Sequence, residues 1–160
     1  QMHYAALSDD REQVSITLES TFISGEFDAT LKAGEQQDLA AQRSTIGIHR
    51  DEFSFEINNF PLKKFGSQGQ QKSFVVAMKL AQFHSLVAAK PRKPLLLLDD
   101  IFDKLDQHRV EQIVKVVAGE QFGQIFLTDT NREHLDVIIK KMDADFRIFN
   151  VDSGKVEILL

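Results

Sequence analysis

Two short stretches gather residue types that can handle a phosphate and a metal ion. At 94–109, PLLLLDDIFDKLDQHR, four leucines run directly into Asp99 and Asp100, with Asp103 and Asp106 close behind and Lys104 between them. Carboxylates this close raise one another's pKa or require a cation, and an oxygen-only donor set suits hydrated Mg2+. At 65–82, FGSQGQQKSFVVAMKLAQ, two glycines, a serine and three glutamines stand at the start of an apolar helical pattern. A helix N-terminus offers unpaired N–H groups and the positive end of its dipole to an anion; glycine permits close approach, and the Ser67 hydroxyl adds a hydrogen bond. Plainer roles compete. Ser67 with Gln70 fits a capping box, and aspartates before a helix, Asp103 and Asp106 above all, stabilise its first turn.

The flanking patterns supply a scaffold for these residues. The unbroken apolar run before Asp99 predicts a strand covered on both faces, as in a parallel sheet. Residues 74–89 are apolar on most sides, leaving Lys72, Lys79 and Gln82 as a narrow polar stripe, so a buried helix is expected there. Val110, Ile113, Val114 and Val117 have helical spacing that ends at Ala118 and Gly119. QIFLT at 124–128 reads as a second buried strand. Thr130 and Glu133 have capping-box spacing ahead of a helix carrying Leu135, Ile138, Ile139 and Met142. Strand, helix, strand, helix over 94–139 implies right-handed crossovers in a mostly parallel sheet.

Upstream, Val14, Ile16 and Leu18 alternate with polar residues as a half-buried strand does, and Phe22 continues the pattern. Residues 26–43 read as a helix interrupted by Gly34. Phe53, Phe55 and Ile57 alternate again before a turn at NNFP. The tail, FRIFNV and KVEILL around Asp152, Ser153 and Gly154, reads as a β-hairpin. The expected fold class is α/β, a mostly parallel sheet flanked by helices with a hairpin at the C-terminus. Two parts are expected: a strand-helix-strand segment over 1–66 and the main α/β part over 67–160.

With 160 residues and 42% hydrophobic content, the chain can form a packed core. It has no cysteine, which removes disulfides and thiolate metal sites and fits a reducing compartment. No apolar run reaches the roughly 20 residues that cross a bilayer, and QMHYAALSDD lacks the regions of a signal peptide, so a cytoplasmic location is expected. The net charge of −5 argues against a protein that coats nucleic acid. Its distribution is uneven: residues 57–98 hold no acid, while Lys63, Lys64, Lys72, Lys79, Lys90, Arg92 and Lys93 all fall there. An anionic partner for that block competes on even terms with a solvated helix face.

Four apolar residues followed by two acids form a Walker B pattern, weak when it stands alone. Here it follows a Ser-Gln-Gly-Gln hinge and an apolar helix, and FDKLD comes next. That succession resembles the ABC-type ATPases, with GSQGQ as signature motif and DKLD as D-loop. More closely it is similar to the RecF family of bacterial recombination and repair ATPases. The match is carried by TIGIHRDEFSF at 45–55, the two stretches quoted above, and GQIFLTDTN at 123–131. Family members commonly show Pro at the position of Ile48 and Asp at that of Glu52, and no role is assigned to His49 or Arg50.

The resemblance implies the C-terminal part of an ABC-type P-loop NTPase acting as an ATP-induced homodimer. It makes Asp99 the residue that positions Mg2+ through water and Asp100 the general base. Ser67, Gly69 and Gln70 would contact the γ-phosphate of ATP on the opposite subunit, with Asp103 and Asp106 in the D-loop. Thr128, Asp129 and Thr130 lie where relatives often carry a switch histidine, and Asp100 stands where most ABC proteins have Glu. A slow ATPase fits both departures. The resemblance further implies DNA binding at gapped or single-strand/double-strand junctions, with RecR as partner, RecO and RecA in the pathway, and a place in the SOS response. Lys90, Arg92 and Lys93 are candidate DNA phosphate contacts. A head of the structural-maintenance-of-chromosomes type is the alternative, disfavoured because residues 1–43 carry no sustained heptads. The chain has no G-x-x-x-x-G-K-[ST] stretch, and its single Gly-Lys pair, Gly154 and Lys155, reads as a hairpin turn. Weak ATP binding, or none, is therefore expected of this chain alone.

Overall fold

A computed structural model describes residues 1–23, 25–89, 93–119, 122–131, 136 and 145–159. The chain divides into two compact units, one formed by Gln1 and Glu12–Gly66, the other by Met2–Arg11 with Ser67–Leu160.

In the first unit, β1 (Val14–Glu19) pairs antiparallel with β2 (Glu52–Ile57), which pairs with the short β3 (Phe60–Pro61). Alternation sets the register: Val14 lies opposite Ile57, Ile16 opposite Phe55 and Leu18 opposite Phe53. One face is thus apolar and the other polar, with the Ser15 hydroxyl donating to Glu56 at 3.1 Å. Only the Val14 and Ile57 end is buried, whereas Ile16, Leu18 and Phe53 are exposed. β1 stops at Glu19, so Phe22 does not extend it. The Phe22 N–H donates to the Ser20 hydroxyl and its carbonyl accepts from Gly25, which turns the chain away. Asn58 and Asn59 take positive φ, 49° and 65°, to join β2 to β3, as asparagine does with little cost.

Between the strands, α2 (Phe27–Ala41) contains Gly34, which is buried against the Ile46 side chain, and a Cβ there would require Ile46 to shift. The chain returns over the helix after Gln42, and Asp38 accepts from both the backbone N–H of Thr45, at 2.7 Å, and the Thr45 hydroxyl. Those bonds hold the Asp38 carboxyl below its usual pKa. Ile48–Arg50 then form one 3-10 turn, with His49 and Arg50 exposed, and α3 (Leu62–Phe65) closes the unit.

The second unit is built on α4 (Gln68–Ala89), against which α1 (Met2–Ser8) packs. Phe74, Val76, Ala77, Leu80 and Phe83 of α4 are buried, as are Tyr4 and Leu7 of α1. The helix is not enclosed all round as its sequence suggests: Val75 and Met78 are exposed. β4 (Leu96–Leu98) and β5 (Ile125–Leu127) pair in parallel, joined through α5 (Gln107–Val117). All four residues of the predicted α5 stripe, Val110, Ile113, Val114 and Val117, are buried.

β4 departs from expectation. Leu96 and Leu98 are buried, but Leu97 is 70% exposed and Leu95 60%. A strand's side chains alternate between faces, and among the described residues only one face of this pair is covered. The helix expected to carry Leu135, Ile138, Ile139 and Met142 lies outside the described residues. The C-terminal hairpin forms as predicted, β6 (Phe149–Asp152) against β7 (Lys155–Ile158), with Ser153 and Gly154 at φ 49° and 79° in the two-residue turn. Among the described residues no helix is long and apolar enough to cross a membrane.

Candidate functional site

Asp99 and Asp100 follow β4 directly and both are exposed at the carboxyl end of the parallel pair, where ligands meet open α/β sheets. Pairing between β4 and β5 continues just past the strands. Thr128 N–H donates to the Leu98 carbonyl at 2.9 Å, and Asp100 N–H donates to the Thr128 carbonyl at 3.2 Å. The Thr128 hydroxyl donates to the Asp99 carboxylate and accepts from Asp100 N–H at 3.0 Å. Thr128 therefore orients one acid and fixes the backbone of the other.

The turn after the acids is irregular. Asp100 and Lys104 have left-handed φ of 45° and 59°, a conformation that costs a non-glycine residue about 1 kcal/mol. Asp106 ends the turn as the N-cap of α5, its carboxylate accepting from Arg109 N–H at 2.9 Å. Asp103 is exposed, with the Lys104 ammonium 3.9 Å from its carboxylate.

The first turn of α4 lies against this segment. Ser67 and Gln70 form a reciprocal capping box: Gln70 N–H donates to Ser67 Oγ at 3.2 Å, and Ser67 N–H donates to Gln70 Oε1 at 2.8 Å. Ser67 is exposed, and Gly69 and Gln70 are half-buried. A Cβ on Gly69 would stand 3.6 Å from the Lys104 carbonyl and 3.7 Å from Arg109 Cδ, so the hinge glycine and the aspartate turn are in near contact. One turn on, Lys72 Nζ donates to the carbonyls of Asp100, at 2.7 Å, and Asp103, at 3.0 Å. Arg109 Nη1 donates to Ser73 Oγ at 3.2 Å, and Arg109 Nε lies 3.3 Å from Asp106 Oδ2.

Sequence reasoning missed both Lys72 and Arg109. Lys72 reads as part of a solvated stripe, and its partners are main-chain carbonyls 28 and 31 residues away that no side-chain pattern announces.

Of the other predicted site residues, Asp129 closes a local turn, accepting from Asn131 N–H at 2.8 Å, and Thr130 is exposed. Lys93 precedes β4 and packs near Gly123, at the amino end of the parallel pair. The acids stand at the other end, about 20 Å along an extended chain. Lys90 and Arg92 lie outside the described residues.

Among the described residues no group of three or more His, Cys, Asp or Glu side chains converges to cage a metal. Two exposed carboxylates, one already accepting from Thr128, fit a hydrated Mg2+ that takes its remaining oxygens from water and phosphate.

The curated relatives agree on one description. The chain is 51% identical over 156 residues to the DNA replication and repair protein RecF of Bacteroides thetaiotaomicron, covering 98% of this chain and 42% of that protein. It is 48% identical over 157 residues to the RecF of Phocaeicola vulgatus, again covering 98% and 42%. The chain thus spans about two-fifths of the length of the curated relatives it matches. No protein-family model matches it. Among solved structures, the recombination mediator protein RecF with ATPrS superposes with a TM-score of 0.68 at 23% identity, over 99% of this chain and 43% of that one. The ATP form gives 0.67 at 24%, over 99% and 42%. These matches show the fold, α/β with a parallel sheet and a C-terminal hairpin. Sequence identity sustained over nearly its whole length shows that the chain belongs to the RecF family, whose C-terminal part it matches.

Proposed function

We propose that this chain supplies half of each composite ATP site in a RecF dimer that binds DNA. Asp99 and Asp100 serve as the Walker B acids. Ser67, Gly69 and Gln70 serve as the signature that meets the γ-phosphate held by the opposite subunit, and 103–106 is the D-loop. The observation that carries this reading is the contact between the first turn of α4 and the exposed aspartate turn, through Gly69 and Lys72. It gives one surface both acceptors for a metal and donors for a phosphate.

Bound Mg2+ would neutralise charge on the phosphates and supply Lewis acidity there. Asp99 would hold it through water, its carboxylate aimed by Thr128. Asp100 would take the proton from an attacking water; its side chain is one methylene shorter than the Glu of most ABC proteins, so alignment is poorer and turnover slow. In this chain the Ser67 hydroxyl oxygen accepts from Gln70 N–H and the Gln70 side-chain carbonyl accepts from Ser67 N–H, so both backbone donors are held by the cap. Exchanging those bonds for a partner's phosphate makes the contact conditional on ATP, which suits a timed switch. Asp129 and Thr130 would form a polar border to the terminal phosphate.

DNA at gapped or single-strand/double-strand junctions is the proposed macromolecular substrate, with RecR as partner and RecO and RecA acting in the same cytoplasmic pathway. Lys90, Arg92 and Lys93 are assigned to DNA phosphates; Lys93 stands at the sheet end away from the acids, so DNA and nucleotide do not compete for it.

The test is Asp100→Asn in the full-length protein. Hydrolysis is expected to be lost while ATP-induced dimers persist, read by turnover and sedimentation. Unchanged turnover would remove Asp100 from the mechanism.

A further inference from the structure

We infer that Lys72 is a positioning residue that couples the phosphate-facing turn of α4 to the placement of Asp100; this rests on the proposed function of that site. The Asp100 backbone is pinned from two sides. Its N–H is held by Thr128 beside β5, at 3.2 Å to the carbonyl and 3.0 Å to the hydroxyl. On the other side, the Lys72 ammonium holds the Asp100 carbonyl at 2.7 Å and reaches the Asp103 carbonyl at 3.0 Å. Asp100 adopts a left-handed φ of 45° where the β4–β5 pairing ends, so these bonds, more than local propensity, direct its carboxylate.

Lys72 stands in the same opening stretch of α4 as Gly69 and Gln70, and a helix moves as a stiff unit over so short a distance. A second tie runs parallel to the first. Arg109 bridges Ser73, which is fully buried, to Asp106 at the end of the same turn. When a partner's phosphate draws on the Ser67 end of the helix, Lys72 and Arg109 carry that displacement to the turn that aims Asp100. Each subunit's hinge, engaged on the neighbour's nucleotide, thereby adjusts the water-activating acid of its own site.

Lys72→Met in the full-length protein keeps the apolar stem and removes the donors. The expected result is a fall in kcat of about tenfold to a hundredfold, the scale set by misplacing a reacting group by about 1 Å. The ATP concentration for half-maximal dimerisation should move by less than about twofold, since binding groups are untouched. Lys72→Arg, whose guanidinium can reach the same carbonyls, should restore most of the turnover. Unchanged kcat in Lys72→Met, alongside an inactive Asp100→Asn control, overturns this inference and leaves the proposed function standing. An active Asp100→Asn overturns the proposed function itself. Parallel loss of dimerisation and turnover in Lys72→Met, without rescue by Lys72→Arg, also overturns the inference, because it marks a purely structural or binding role. Thermal unfolding monitors the fold, and if Lys72→Met does not fold, Lys72→Gln takes its place in the same comparison.

Discussion

Ser67 caps its own helix with the hydroxyl that the proposed chemistry brings to a phosphate, and substitution can separate the two roles. Ser67→Ala removes the cap, at a cost of about 1 kcal/mol, which lowers the unfolding midpoint by about 2–4 °C. Ser67→Asp keeps a strong N-cap but sets a negative charge against the incoming phosphate. Its midpoint should stay near that of the parent while ATP-induced dimerisation of the full-length protein is lost. Normal dimerisation by Ser67→Asp would return Ser67 to a capping role alone. Both caps at the site were legible because their partners sit three residues away, Ser67 with Gln70 and Asp106 with Arg109. The bonds that organise the acids were not. Thr128 meets Asp99 across 29 residues and Lys72 meets Asp100 across 28, and pairings at that range follow from topology rather than local pattern. Thr128 was singled out through a resemblance; nothing in its own neighbourhood predicts a bond to Asp99.

Among the elements, α5 and the final hairpin were the most legible, α5 from four apolar residues at helical spacing and the hairpin from two alternating runs about Ser153 and Gly154. α1 was not. Its seven residues are too few to hold a helix alone, and the segment is ordered by burying Tyr4 and Leu7 against α4 and α5. That packing stacks His3 on His84 with ring centroids 4.7 Å apart. Desolvation, reinforced by repulsion from His84, lowers the His3 pKa below its usual 6.5. The folded chain therefore binds fewer protons than the unfolded chain just below pH 6.5, so stability rises with pH across that window. The contribution is present in full above it and is lost as pH falls through the lowered folded value. Thermal midpoints measured from pH 7.5 down to 5 should decline, and His3→Gln should flatten part of that decline. Identical profiles for the two proteins would show that the ring pair is not a source of the pH dependence.

At the scale of the whole molecule, the sequence carries more apolar surface than the described residues bury. Leu95, Leu97 and Phe126 are exposed on the parallel pair, and Ile16, Leu18 and Phe53 on the antiparallel sheet. Apolar runs disclose that a strand is made for burial but not what covers it, which is why β4 read as covered on both faces. The chain accounts for 42% of the length of its relatives, so the proposed nucleotide site is a matter of assembly rather than of this chain alone. The central claim is that the hinge of one subunit completes the aspartate pair of the other, and mixed dimers of full-length protein test it most directly. Ser67→Asp and Asp100→Asn are each expected to be inactive. In their heterodimer one site has both defects and the other has neither. With heterodimer formation through the unmodified site verified by sedimentation, mixing should recover up to about a quarter of parental turnover, the share reached when half the dimers are mixed and carry one intact site under two-fold symmetry. Mixtures that contain heterodimers and still stay as inactive as either variant alone would contradict the account, because they would place both residues in the site of a single subunit.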